Sequence, residues 1–217
     1  MVLHHPMTKD MPLRQKTELI LASASPRREE LLSLAGIVFR AIPAEVNEEM
    51  AGKESPEEHV LRLSGEKAAA VAALYPDAWV LGADTTVIID GEILGKPAHR
   101  EEARAMMRKL SGRTHRVVTG FTLLRATSQH RVSRAVTSDV TFKKLASEEI
   151  DWYVATEEPY DKAGGYAVQG RAALFIREIR GSYTNVIGLP VCEVTEALRE
   201  LGAIDFRKED DHVGDSK

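Results

Sequence analysis

Apolar and polar positions change period several times along the chain. Leu19–Ala22 is a short apolar run that predicts a strand, and small residues with a proline, Ser23–Pro26, predict a turn after it. A charged, amphipathic segment then predicts a helix up to Gly36, and Val38–Ile42 reads as a second strand. Ser55-Pro-Glu-Glu58 carries a helix-start signature, with a serine cap, proline at the first position and glutamate three residues after the cap. Val60, Leu63, Val71 and Leu74 form one stripe on that helix, predicted to run to about Tyr75. From Trp79 an apolar run leads into two strands joined by Asp90-Gly91, a two-residue hairpin turn. Arg100–Leu110 predicts a helix closed by Ser111-Gly112. Thr114–Thr127 and His130–Lys144 alternate as antiparallel strands, and Ser147–Thr156 predicts a helix. A glycine-rich loop (DKAGGYAVQG), a strand (AALFIREI) and one helix to about Leu201 complete the pattern.

Strands and helices are mixed without strict βαβ alternation, which predicts an α/β class with a mixed sheet flanked by helices. With no repeats, low-complexity tracts or long linkers, residues 17–203 are expected to form one domain. Residues 1–16 read as a flexible extension and residues 204–217 as a disordered tail. Composition adds exclusions. The chain of 217 residues is 43% hydrophobic and 29% charged, with net charge −4, which argues against a general nucleic-acid binder and makes any anion site local. Cys192 is the single cysteine, so an internal disulfide and a Cys-based zinc site are excluded, and a reducing cytoplasm is expected. No apolar run approaches the ~20 residues of a membrane span, and the N-terminus lacks a signal-peptide stretch.

Candidate chemistry concentrates at few positions. Arg27 and Arg28 stand in the first turn of a helix, whose N-terminus already carries partial positive charge, so an anion is expected there. Lys67 lies four residues after Leu63 and four before Val71; it either snorkels from the stripe or faces inward toward an anion. Asp84 ends the apolar run Trp79–Ala83, where α/β folds tend to present active-site groups. Counting back from the Asp90-Gly91 turn brings Thr85 opposite Lys96, so Lys96 is expected near Asp84, either as a structural ion pair or as part of a site. Gly164-Gly165 and Gln169-Gly170 mark either plain turns or a loop approaching a ligand. His115 reads as structural. The motifs of P-loop ATPases, zinc proteases, α/β-hydrolases and dinucleotide-binding folds are all absent. Cations (Arg27, Arg28, Lys67, Lys96), carboxylates (Glu45, Glu48, Asp84) and a glycine-rich loop suit a polyphosphate bound with a divalent metal.

These residues, in this order, resemble the Maf family of nucleoside triphosphate pyrophosphatases. The shared segments are LILASASPRREELL, LRLSGEKA, LGADT, GEILGKP, LSGRTH, TGF, EPYDKAGGYAVQG and GSYTNVIGLP. The resemblance implies an elongated α/β fold with a central mixed sheet and a cleft, related to the inosine triphosphatases and commonly homodimeric. It implies cleavage between the α and β phosphates of a nucleoside triphosphate, with a divalent cation (Mg2+ or Mn2+). It assigns Asp84 as catalytic and metal-binding, Glu48 as a second metal ligand, and Ser23, Arg27, Arg28, Lys67, Lys96, Thr85 and Gln169 as substrate-binding, with Arg27 pointing at the ligand and Arg28 either assisting there or pairing with a carboxylate of its own helix. Many members carry Asp-Glu where this chain has Asn47-Glu48, with Glu45 as the nearby carboxylate that would compensate. Arg27, Thr85 and Gln169 match the members acting on dTTP and UTP, and an amide such as Gln169 can bond both the N–H and C=O of a pyrimidine edge. The alternatives are a non-catalytic nucleotide sensor linked to cell division, and the same chemistry on modified pyrimidine triphosphates or on 7-methyl-GTP.

Overall fold

In the computed structural model, which describes residues 13–206, helices and strands follow the order β1 (Arg14–Gln15), β2 (Leu19–Leu21), α1 (Pro26–Leu34), β3 (Arg40–Ala41), α2 (Pro56–Ala72), β4 (Trp79–Ile89), β5 (Glu92–Leu94) and α3 (Arg100–Leu110). They continue with β6 (Thr114–Arg125), β7 (His130–Phe142), α4 (Ser147–Tyr153), three short 3-10 turns between Glu158 and Leu174, β8 (Ile176–Arg180), α5 (Tyr183–Ile187), α6 (Val191–Glu200) and β9 (Ile204–Asp205). Seven strands form one mixed sheet, ordered β3-β2-β4-β6-β7-β8, with β5 also on β4. The β2 pairings to β3 and β4 are parallel and the rest antiparallel.

Two features of β4 decide where a site can form. On one edge it pairs with β6 along nearly its whole length. On the other edge β2 covers Trp79–Leu81 and β5 covers Val87–Ile89, so among the described residues no strand pairs with residues 82–86 there. Asp84 and Thr85 stand in that gap. The second feature is the approach of α2. A Cβ at Gly82 would sit 2.1 Å from the Ser64 carbonyl oxygen, and one at Gly120 would sit 2.5 Å from the Val60 carbonyl oxygen. Glycine at these paired strands lets the helix backbone lie directly on the sheet. α2 itself starts as its sequence predicts: Ser55 accepts from the Glu58 N–H, and the Glu58 side chain accepts from the Ser55 N–H.

Several expectations need correction. Val38–Ile42 contributes only Arg40–Ala41 as strand, because β2 offers three residues for pairing and, among the described residues, nothing pairs beyond β3. The segment from Ala172 is not strand at its start. The Glu158 carboxylate accepts the backbone N–H groups of Arg171 and Ala172, which holds a 3-10 turn over Arg171–Leu174 and delays β8 to Ile176. The single closing helix is two helices, broken at Gly188 (φ 132°) and Pro190. Leu74 is exposed, since α2 ends at Ala72. Arg14–Gln15 pairs with Ile204–Asp205 as a two-stranded ribbon, so the ordered fold extends past both ends of 17–203; Ile204 is anchored in the core with Leu198 and Ala203. The rest of the anticipated extension and tail lies outside the described residues.

His115 is structural, as expected. It packs edge-on against Phe142 and Tyr166, with Nε2 2.7 Å from the Tyr166 hydroxyl, while Nδ1 has no partner among the described residues. Burial pushes its pKa down from 6.5 to about 4. The folded state therefore binds fewer protons than the unfolded state in this window, and the associated stability is complete above pH 6.5 and lost as pH falls toward 4. The full loss is ~3 kcal/mol. Urea unfolding across this range should show wild type losing more stability than His115→Phe; parallel losses would refute the assignment.

Candidate active site

The turn after β2 folds back on itself because the Ser25 N–H bonds the Ser23 hydroxyl (3.2 Å), and Pro26 then starts α1. Both arginines of the first turn reach a cleft of about 600 Å³ beside the open edge of β4. Their environments differ. Arg28 is engaged on every side of its guanidinium: Nε donates to the Gly188 carbonyl (2.8 Å), Nη1 to Ser23 Oγ (3.0 Å) and Nη2 to Thr85 Oγ1 (3.2 Å). Burial lowers its pKa, and the negative charge of Asp84 opposes that. Arg28 pairs with no carboxylate of its own helix; it is the more firmly held of the two cations. Arg27 reaches the Asp161 carboxylate instead (3.4 Å).

Thr85 holds Arg28 through a chain of hydroxyls. Thr119 Oγ1 donates to the Asn185 carbonyl (3.1 Å) and lies 2.9 Å from Thr85 Oγ1, which can donate to Thr119 or to the Gly188 carbonyl (3.3 Å) and accepts from Arg28. Asn185 is fully buried and donates to the Val117 carbonyl and Ser138 Oγ. Sheet, α5 and the arginine are thereby tied together.

Alternation along β4 sends Asp84 to the opposite face from Thr85, toward α2. There Lys67, only 6% exposed, donates to Asp84 Oδ1 (2.8 Å) and to Glu48 Oε1 (2.7 Å). Of the two alternatives for Lys67, the inward-facing one holds. Its ammonium is the main cause of a lowered Glu48 pKa; Lys96 and Arg28 contribute further. Two carboxylates and one ammonium leave this group with a formal charge of −1. Asp84 Oδ2 makes no hydrogen bond with any described residue and keeps solvent access.

Lys96 lines the same cleft, but not by the expected register: the hairpin ladder stops at Val87–Leu94, so Thr85 and Lys96 are not a strand pair. Gln169 and Val168 line the cleft, Val168 packing against the core cluster that holds Leu81 and Ala83 of β4, and Gln169 is exposed. The glycines of that loop do other work. Gly164, at φ 69°, packs where a Cβ would lie 2.9 Å from Val87, and its N–H bonds the Gly95 carbonyl. Glu45 is not among the cleft residues, and Asn47 turns away to accept the Glu49 N–H, so neither joins Glu48 at Lys67.

Sequence reasoning missed Glu54, His59 and Arg62. Glu54 accepts from Arg62 Nε (2.9 Å) and Nη2 (2.7 Å), from the Ala51 N–H (2.9 Å) and from His59 Nδ1 (2.7 Å). Arg62 also bonds the Glu49 carbonyl, so this cluster fixes the loop that delivers Glu48. Extending the Leu63–Lys67 spacing back by one turn would have found His59 on the cleft side. Glu158, which clasps the Gln169 loop, gave no signal in a single sequence.

A family model described as Maf-like protein matches residues 18–201. Among curated relatives, the dTTP/UTP pyrophosphatase of Syntrophus aciditrophicus (strain SB) is 58% identical over 189 residues, 87% of this chain and 92% of that protein. That of Geobacter sp. (strain M21) is 53% identical over 190 residues, 88% of this chain and 98% of its own length. Among solved structures, the Staphylococcus aureus Ham1 protein aligns with a TM-score of 0.49 at 13% identity, covering 85% of this chain and 99% of that one.

Proposed function

The chain belongs to the Maf family, and from that premise we propose that it hydrolyses dTTP and UTP to the nucleoside monophosphate and pyrophosphate. The observation that carries this reading is the Asp84–Lys67–Glu48 group in the unpaired edge of β4, faced by Arg27, Arg28 and Lys96 across one cleft. The names of the relatives support the pyrimidine substrates, and Arg27, Thr85 and Gln169 all reach the cleft.

The donor set fits a divalent cation. Glu48 and Asp84 offer hard carboxylate oxygens that converge on one ammonium, and Mg2+ is commonly held by one or two carboxylates with substrate phosphates completing its shell. When bound, the ion would neutralise phosphate charge and polarise the reacting phosphoryl group.

The chain's own residues supply the rest. Arg28, fixed by three hydrogen bonds, presents an ordered cation, so little reorganisation is needed as charge develops on the phosphoryl oxygens. Lys67 and Lys96 offer further positive charge, and Lys67 can exchange a carboxylate for a phosphate oxygen without leaving its buried position. Asp84 Oδ2, which has no other hydrogen bond, accepts the proton of a water attacking the α-phosphorus while pyrophosphate departs. Gln169 offers its amide to the base edge.

The test is turnover of a panel of triphosphates with Mg2+ or Mn2+, measuring each monophosphate and pyrophosphate. dTMP and UMP should form at least tenfold faster than purine or 7-methyl-GTP products. Equal rates would overturn the substrate assignment, and binding of dTTP without dTMP formation would make the protein a sensor.

A further inference from the structure

His59 is not needed to explain the hydrolytic group, yet it faces the same cleft. It stands in the first turn of α2, is 7% exposed, and lines the cavity together with Leu63 and Lys67 one and two turns further on. Its Nδ1 lies 2.7 Å from Glu54 Oε1 and 3.3 Å from Arg62 Nη2. A carboxylate only accepts, and Glu54 is held ionised by Arg62, which keeps its pKa well below the usual carboxylate range. The proton of the ring therefore sits on Nδ1. Nε2 makes no hydrogen bond with any described residue and retains solvent access. A side chain more than nine-tenths buried thus leaves one polar atom for a ligand.

Its position says which part of a ligand. Eight residues separate His59 from Lys67, about 12 Å along the helix axis. Side chains on a helix lean toward its N-terminus, so the long Lys67 stem closes much of that distance. Val168, the neighbour of the base-reading candidate Gln169, packs against the core cluster that holds Leu81 and Ala83, on the Thr85 face of β4, whereas His59 and Lys67 stand on α2, where Lys67 meets Glu48 and Asp84. The N-terminal end of α2 also carries the positive end of the helix dipole. Polyphosphate running from Asp84 away from the base would pass Lys67 and arrive at His59.

We propose that His59 Nε2 binds the distal phosphate of the pyrophosphoryl leaving group, so that this end of the cleft selects triphosphates by chain length. A phosphate oxygen and a carboxylate only accept, so in this contact the ring donates from both nitrogens, Nδ1–H to Glu54 and Nε2–H to the phosphate. Glu54 and Arg62 act as positioning residues for this contact. The inference rests on the triphosphate reading above.

His59→Asn is the informative variant, because an asparagine amide can still donate to Glu54 while removing Nε2. In the full-length protein with Mg2+, KM for dTTP should rise about tenfold and inhibition by pyrophosphate should weaken about tenfold, the scale of losing one hydrogen bond to a charged group. Inhibition by dTMP, which has no distal phosphate, should be unchanged. Unchanged pyrophosphate inhibition, or equal weakening of dTMP, overturns the inference. Should the variant not fold, the imidazole nitrogen resonances of wild-type His59 provide the readout: they should shift on titration with Mg2+ and pyrophosphate and stay in place with dTMP. Absence of a pyrophosphate shift overturns it. Failure of wild type to form dTMP and pyrophosphate from dTTP would instead remove the functional reading itself.

Discussion

Asp84→Asn should lower turnover of dTTP by about 10²–10⁴-fold, the usual contribution of a general base, while leaving the fold intact. An asparagine oxygen can still accept from Lys67 Nζ, and Glu48 remains 2.7 Å from the same ammonium. The buried lysine is therefore not left without a partner, which is the costly outcome when one member of a buried ion pair is removed. What disappears is the carboxylate charge and the free Oδ2 lone pair that would take the water proton. The effect should fall mainly on kcat, with unfolding by urea close to wild type. Pyrophosphate release within threefold of wild type would mean that another group activates the water.

Gly82→Ala should have the largest effect on stability. The added methyl would sit 2.1 Å from the Ser64 carbonyl oxygen, 2.7 Å from the Ala68 nitrogen and 3.1 Å from Ala68 Cβ. Two of these three are backbone atoms, so no side-chain rotation relieves the clash; α2 and β4 must separate. Overpacking of this kind costs about 3 kcal/mol or more. Separation also lengthens the 2.8 Å contact between Lys67 on α2 and Asp84 on β4, so activity should fall together with stability. Gly95→Ala is the matched control: a Cβ there meets nothing within 4 Å. Its unfolding free energy should stay within about 0.5 kcal/mol of wild type. Equal stability of Gly82→Ala and Gly95→Ala would contradict the close packing of α2 on the sheet.

Local rules recovered much of the architecture because they act over a few residues. The Ser55 cap, the Asp90-Gly91 turn and the alternation from Thr114 onward each carry their own geometry. They failed where a distant group supplies the partner. Arg171–Leu174 has the composition of a strand, yet Glu158, thirteen residues before Arg171, takes its free N–H groups and winds it into a turn. The ribbon of Arg14–Gln15 with Ile204–Asp205 joins segments from opposite ends of the described chain, and nothing in either segment announces the other.

The candidate site divides in the same way. The sequence by itself determined which chemical groups are present, that they occur in the order of the Maf family, and that Lys67 lies on the apolar stripe of its helix. Only the tertiary structure decided that Lys67 lies between Glu48 and Asp84, that Arg28 rather than Arg27 is locked in place, and that His59 looks into the cleft. The physical reason is that periodicity places a side chain on a face of its own element. Which atoms meet across the cleft depends on the gap in the β4 edge and on how closely two glycines let α2 approach the sheet.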